Sequence, residues 1–417
     1  MSINENANNY AENAGFSGLE EDWLSHVEVN RDYEQQEKRH SRKRRSRVRT
    51  FVMRTLLVVA TVIVFLFVGA VLILYRAANG PSETVRDMLV VSAKQASATK
   101  WLPGLFLSSE LVDEIMAKSQ DVQQYTEPMT PYIPQLPDNQ EPAGTDTDQD
   151  DEVQTLPVAD EWENAIDGMI YKTASYSNFR AYILIVRDPS RIYVGTSSDF
   201  KSGKIGVRIF EIVEREEAVA AINAGEFSDI GGTGTGDNPI GLTYSKGECV
   251  WNDSARRTFI GFDSDNVLHA IESAKKEDAD ALGIRDAVSF QTGNVLISND
   301  GESVTYNYSE GNVGRAQRTA IAQRADGAVI LVVTDGRTAS SLGATRNDVI
   351  DLLRSEGAVT AGMLDGGSST MMYYENYYEK YNIDTSVLDE YQLKGLTNKY
   401  KAFTPPRHLP TFFLVKP

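Results

Sequence analysis

The chain has 417 residues, 41% of them apolar and 24% charged, which is enough to build a sizeable core and excludes wholesale disorder. Its 41 Lys and Arg against 59 Asp and Glu give a formal charge of −18, which repels a nucleic-acid backbone and excludes the electrostatic footprint of a DNA- or RNA-binding protein. A single cysteine, Cys249, excludes an intrachain disulfide and a cysteine zinc cluster; of four histidines, His26 and His40 lie in the N-terminal tail, so a three-histidine zinc centre is excluded from the remainder.

Residues 1 to 37 are Asn-, Glu- and Ser-rich with scattered aromatics, a composition that predicts a disordered tail. Between 38 and 54 stand nine Lys and Arg and no acid. From Thr55 to Tyr75 there follow 21 residues without a charge. That is ~30 Å of helix, long enough to cross a bilayer's hydrocarbon, and too long and too deep in the chain for a cleaved signal peptide. The basic flank holds residues 1 to 54 in the cytoplasm, so 76 to 417 are expected outside a cell membrane crossed once. The outer part carries 31 basic and 50 acidic residues and one thiol, which fits an exported bacterial protein that does without disulfides.

Beyond the span, Ser82 to Ala98 and Ser108 to Ser119 have helical spacing, with Ser82 placed to cap the first; residues 76 to 119 are read as a helical stalk. No Lys or Arg occurs between Lys118 and Lys172, while acids accumulate among six prolines, so 120 to 163 is read as an extended acidic linker. Asp146, Asp148, Asp150 and Asp151 lack the glycine and distal glutamate of a calcium loop.

Residues 164 to 417 have the pattern of one compact α+β domain. Ala181 to Val186 and Arg191 to Val194 flank Asp188-Pro189 and predict a β-hairpin. Further strands are expected at 220–223, 241–244, 258–262, 328–334 and 362–364. Helices are expected at 211–219 and 345–357, the second ending at Gly357.

Three segments carry groups for chemistry. Asp365-Gly366-Gly367-Ser368-Ser369-Thr370 follows an apolar strand; its glycines allow a tight turn in which amides and hydroxyls converge on an anion beside the carboxylate. Asp335-Gly336-Arg337 ends another apolar strand, though Asp-Gly alone is also a common hairpin turn. Asn223-Ala224-Gly225-Glu226 runs into the glycine-rich stretch Gly231 to Gly241, a loop flanked by carboxylates that matches neither a dinucleotide fingerprint nor a triphosphate loop. Arg318-Thr319 and Arg407 each adjoin a strand, and guanidinium is the planar bidentate partner of phosphate.

Taken together, "INAGEF" with its glycine-rich loop and "PIGL", "RTAIAQRADGAVILVVTDGR", "LGATRNDVIDLLRSEGAVTAGMLDGGSSTMM" and "PRHLPTFFLV" resemble the phosphodiester glycosidase family over residues 165 to 417. The LDGGSST element is the specific one, and Glu226 departs from the aromatic or glycine more usual there. The resemblance implies an exported, membrane-anchored hydrolase of cell-wall or exopolysaccharide metabolism. It would act on a phosphate-linked glycan, cleaving a sugar-1-phosphodiester of the N-acetylglucosamine kind. Asp365 is then the base or nucleophile, and Asp335 the second carboxylate, with Glu226 a further candidate. Arg318 and Arg337 clamp phosphate together with Thr319, Gly366, Gly367, Ser368, Ser369, Thr370 and Arg407, and Asn223 orients the substrate. Two carboxylates suffice for such chemistry, so no cofactor is expected, and a divalent cation is left open. Transfer of the sugar to an acceptor, or glycan binding without turnover, are the alternatives.

Overall fold

The computed structural model describes residues 19–95, 99–120, 122–129, 161–198, 200, 206–229, 235–309, 314–336, 341–400 and 405–417. The acidic run around Asp146, Arg337 and residues 231–234 of the glycine-rich stretch lie outside the described residues.

Helix α1 spans Leu19–Asn79. It contains one glycine, Gly69, and no proline, and Gly80-Pro81 follows at once, so helix-forming residues propagate until the proline ring forbids continuation. The disordered tail expected up to residue 37 is therefore corrected from Leu19 onward; residues 1–18 lie outside the described set. From Arg49 to Asn79 this helix is long and apolar enough to cross a membrane. Its apolar side chains find no protein to bury them, with Leu57 69% and Phe65 73% exposed.

In the second compact unit, residues 77–417, α2 (Glu83–Gln95) and α3 (Ser109–Gln120) begin at serines whose hydroxyls accept from Val85 N and Leu111 N, both at 3.3 Å. They pack through Val90 and Val91 against Val112 and Ile115. The strands that follow are β1 (Val122–Pro128), β2 (Met169–Ser175), β3 (Arg180–Val186), β4 (Ile192–Thr196), β5 (Ala220–Asn223), β6 (Leu242–Ser245), β7 (Glu248–Asn252), β8 (Thr258–Asp263), β9 (Leu268–Ile271), β10 (Ile284–Phe290), β11 (Val295–Asn299), β12 (Ser303–Ser309), β13 (Thr319–Arg324), β14 (Val329–Thr334), β15 (Ala358–Leu364), β16 (Met372–Tyr374) and β17 (Thr411–Val415). They form an eight-stranded sheet in the order β1-β12-β11-β15-β13-β14-β3-β2, a five-stranded sheet β7-β6-β10-β8-β9 and a four-stranded sheet β16-β5-β17-β4. The architecture is α+β.

Alternate residues of the large sheet face opposite ways, so its central strands bury both faces. Leu331, Val333 and Leu364 join Ile222 and Phe413 of the small sheet in one core. Beyond α4 (Ile209–Arg215) and α5 (Lys276–Ala281), Ala320, Ile330 and Met363 pack on the other face under α6 (Arg346–Ser355), whose Val349, Ile350, Leu352 and Leu353 form its apolar stripe. Thr345 and Asp348 close a capping box at the start of α6.

Two expectations are corrected. β3 and β4 do not form a hairpin, because β3 pairs with β2 and β14, while the 3-10 turn Pro189–Arg191 delivers β4 to the other sheet beside β17. The acidic linker does not begin at 120 either: β1 pairs with β12 over seven residues, from Val122 opposite Ser309 to Pro128 opposite Ser303. Its side chains are nearly all exposed, so burial left no pattern to read. The compact domain resumes at a 3-10 turn, Glu161–Asn164, where Trp162 lies 5.5 Å from the guanidiniums of Arg187 and Arg324.

The central pairing positions the site. Thr319 pairs with Leu364 on one side and Val333 on the other, so Asp365, Arg318 and Asp335 emerge at one edge of the sheet.

Candidate active site

Asp365 is the first residue beyond β15. Its amide donates to Ala224 O at 3.0 Å, and its carbonyl accepts from Asn223 Nδ2 at 2.5 Å. Burial pushes its carboxyl up to about 6; the hydrogen bond from Ser369 and the charge of Arg407 oppose that rise, and the charge of Glu226 adds to it. A carboxylate poised there can serve as base or nucleophile at neutral pH.

Gly366 and Gly367 are required by geometry. A Cβ on Gly366 would stand 2.8 Å from Gln317 O, and Gly367 has φ +61. Their turn is not the amide cradle expected. Gly367 N donates to Gln317 O, Ser369 N to Gly366 O and Thr370 N to Gly367 O, at 2.9, 3.1 and 3.3 Å, so these donors are spent holding the 3-10 turn Gly367–Ser369. Thr370 is 2% exposed and faces inward. Ser369, 1% exposed, hydrogen-bonds the Asp365 carboxyl, so the Ser368 hydroxyl remains; Arg407 Nη1 donates to the Ser368 and Ser369 oxygens at 2.9 and 3.4 Å. Arg407 Nη2 pairs with the Asp229 carboxylate, and the guanidinium carbon lies 5.2 Å over the ring of Phe227. Tyr400 joins the two segments by donating to Ser368 O at 2.6 Å and accepting from Arg407 N at 3.2 Å.

Glu226 enters from the other side. Its amide donates to Ser289 O at 2.8 Å, and its Oε2 accepts from Arg257 Nε at 2.6 Å. Gly225 permits this approach, because a Cβ there would meet Ser289 O and Val288 Cβ at 3.0 Å.

The structure thus brings together Asp365, Glu226, Ser368, Ser369 and Arg407. Asn223 and Thr319 are corrected from substrate contacts to braces. Both are fully buried; Asn223 Oδ1 accepts from Thr319 Oγ1 at 2.8 Å and from Met371 N at 3.1 Å. Asp335 stands apart from the cluster, whereas the backbone of Arg318 adjoins Gly366, 3.8 Å from where a Cβ there would stand. Asp335 lies two strands from Asp365, about 10 Å at ordinary strand spacing. Its Oδ2 accepts from Tyr182 Oη at 2.8 Å, and burial raises its carboxyl. Arg318 lies between the two aspartates and donates to Ala344 O at 3.2 Å and Gly314 O at 2.5 Å. Asp229, Arg257 and Tyr400 were not singled out in the sequence; only Asp229, in the same loop as Glu226, had a local signal. Among the described residues no group of three or more His, Cys, Asp and Glu side chains could hold a metal ion. Two further clefts, of about 670 and 630 Å³, have other linings.

Residues 216–416 match the phosphodiester glycosidase family. A SPbeta prophage-derived protein of Bacillus subtilis strain 168, YomE, is 28% identical over 217 residues, which are 50% of this chain and 31% of that relative. The chain therefore spans about a third of the length of that curated relative. Among solved structures, the catalytic domain of zebrafish N-acetylglucosamine-1-phosphodiester alpha-N-acetylglucosaminidase, auto-inhibited by its pro-peptide, is 17% identical with a TM-score of 0.46, covering 60% of this chain and 83% of that one. A protein of Burkholderia pseudomallei is 13% identical with a TM-score of 0.39, covering 57% and 74%.

Proposed function

Residues 216–416 belong to the phosphodiester glycosidase family, and on that footing we propose that this chain is a membrane-anchored hydrolase of a sugar-1-phosphodiester in cell-wall or exopolysaccharide metabolism. The bond cleaved joins the anomeric carbon of an N-acetylglucosamine-like sugar to a phosphodiester oxygen. The α1 segment crosses the cell membrane once, with its basic flank in the cytoplasm and the β-rich domain outside.

The observation that carries the reading is one carboxylate, Asp365, with its carboxyl at about 6 beside the Arg407, Ser368 and Ser369 cluster. Ionised Asp365 takes a proton from the water that attacks the anomeric carbon, or attacks that carbon itself to form a glycosyl ester that water then hydrolyses. The C1–O bond breaks, and its electron pair leaves on a phosphate oxygen, where Arg407 and the Ser368 hydroxyl meet the charge. A phosphate leaving group needs little protonation, so one well-placed base and an anion clamp do most of the work. Glu226, ion-paired to Arg257, is the second carboxylate and orients the water. Asp335, tied to Tyr182, is replaced by Glu226 in that role.

The test is to incubate the full chain in detergent with a panel of sugar-1-phosphodiesters and follow free sugar by mass spectrometry. Asp365→Asn should lower release ~10²-fold or more while the protein stays folded. Near-parental release by a folded Asp365→Asn protein would overturn the assignment.

A further inference from the structure

Several arginines of the β-rich domain meet a carboxylate: Arg257 meets Glu226, Arg285 Asp286, Arg315 Asp348, Arg324 Asp326, Arg354 Glu127 and Arg407 Asp229. Arg346, the first residue of α6, is different. Its Nε donates to Asn307 O at 3.0 Å and its Nη2 to Val295 O at 2.7 Å, and its Nη1 bonds Gly293 O. No carboxylate among the described residues is bonded to it. Three backbone carbonyls fix the planar guanidinium in place without cancelling its charge, and two of its five N–H groups remain for another acceptor. Burial pushes its ionisation down to about 10, and the charge of Glu272 opposes that fall.

That guanidinium lines a cleft of about 630 Å³ between β1, β9, β11 and β12. Gln124 and Asn307, whose amides bond at 3.2 Å, and Ser298 supply groups for hydroxyls, while Val122 and Ala270 supply apolar surface. Glu272 also lines it. Its oxygens are already engaged by Thr258 Oγ1, Gly293 N and Val295 N at 2.9, 3.0 and 3.1 Å, so it braces the 291–295 turn. Val295 pairs with Gly362, three residues before Asp365, so the two backbones lie about 11 Å apart at ordinary strand rise and spacing.

We propose that this cleft is a second subsite, which binds an anionic group, phosphate or carboxylate, carried on a glycan whose scissile bond lies at Asp365. A mixed lining with a rigidly held guanidinium that keeps two N–H groups unused, beside a Glu272 whose oxygens are already engaged, suits a charged sugar better than a neutral one or a peptide. The substrate is accordingly a charged polymer and not a small isolated diester; that last step rests on the reading of Asp365 given above, whereas the binding does not.

Binding is therefore measured without turnover, by titration calorimetry on the full chain in detergent carrying Asp365→Asn. The probes are poly(glycerol phosphate), polygalacturonate and a neutral maltodextrin of equal length. The expected result is binding of at least one anionic probe, with the neutral one ten-fold weaker or undetectable; which anion binds identifies phosphate or carboxylate. Adding Arg346→Gln should weaken the anionic probe at least ten-fold. Because loss of three internal bonds could unfold that variant, Ala270→Trp, which fills the cleft and leaves Arg346 in place, should do the same. Equal binding of the neutral probe, or parental affinity in either folded variant, overturns the subsite. Failure of the parent chain to release sugar from any diester overturns the active-site reading and leaves the binding result standing.

Discussion

The side-chain amide of Asn223 donates to the backbone carbonyl of Asp365 at 2.5 Å, across 142 residues of chain. With Thr319 and Met371 on its Oδ1, this one amide ties β5, β13 and the strand ends around the Asp365 carboxylate. Asn223→Ala should therefore cost ~2–4 kcal/mol by stranding buried donors and acceptors. Turnover should fall with KM little changed, since the side chain touches no substrate. A large rise in KM with unaltered thermal stability would show it to be a substrate ligand after all.

Asp365 should report its own environment through pH. With a folded value of about 6 against an ordinary 3.8, the unfolded chain gives up this proton first as pH rises from 4 to 6. Stability then falls through that window by on the order of 3 kcal/mol and stays lower above it. Asp365→Asn removes the penalty, so the variant should melt higher than the parent at pH 8, with the gap closed by pH 4. In the parent, kcat/KM should drop about ten-fold per pH unit below 6. Equal melting at pH 8 would mean the carboxylate is not held in a desolvated place.

Arg407 spreads one guanidinium over Ser368, Ser369 and Asp229. A lysine ammonium is a single point and cannot span them. Arg407→Lys should raise KM for a phosphodiester ten-fold or more despite keeping the charge, and Arg407→Gln further still. Parental KM in Arg407→Lys would reduce the clamp to a simple electrostatic effect.

Orientation across the membrane is open to direct assay. Protease added to intact cells should digest the β-rich domain and spare a tag at Met1, and the reverse protection pattern would invert the topology.

Local order was readable where local rules decide. Thr345 and Asp348 announce α6 by their cap spacing, Ala220 to Asn223 forms a strand as its run suggests, and the glycines after Asp365 mark a turn in which a Cβ on Gly366 would clash with Gln317 O. What the sequence hid was partnership. Nothing near Arg407 points to Asp229, 178 residues away, nor does anything near Glu226 point to Arg257. The same blindness made β3 and β4 look like a hairpin, because turn chemistry says where a strand ends and not which sheet receives the next one. Asn223 was credited with the substrate for a related reason: an amide beside a carboxylate reads as a ligand until its burial is known.

Strand β1 changes what a shed form of this protein must contain. A cut between residues 130 and 160 would leave seven rungs of antiparallel pairing between Val122–Pro128 and β12, together with the grip of Arg354 on Glu127, so the two pieces would stay noncovalently joined. A fragment that starts at 160 lacks that strand altogether and presents β12 as a bare edge, with Thr305 and Tyr306 offered to the next copy. Soluble, monomeric preparations should accordingly begin ahead of Val122, and the first residues of the stretch read as a linker count as part of the β-rich domain's perimeter.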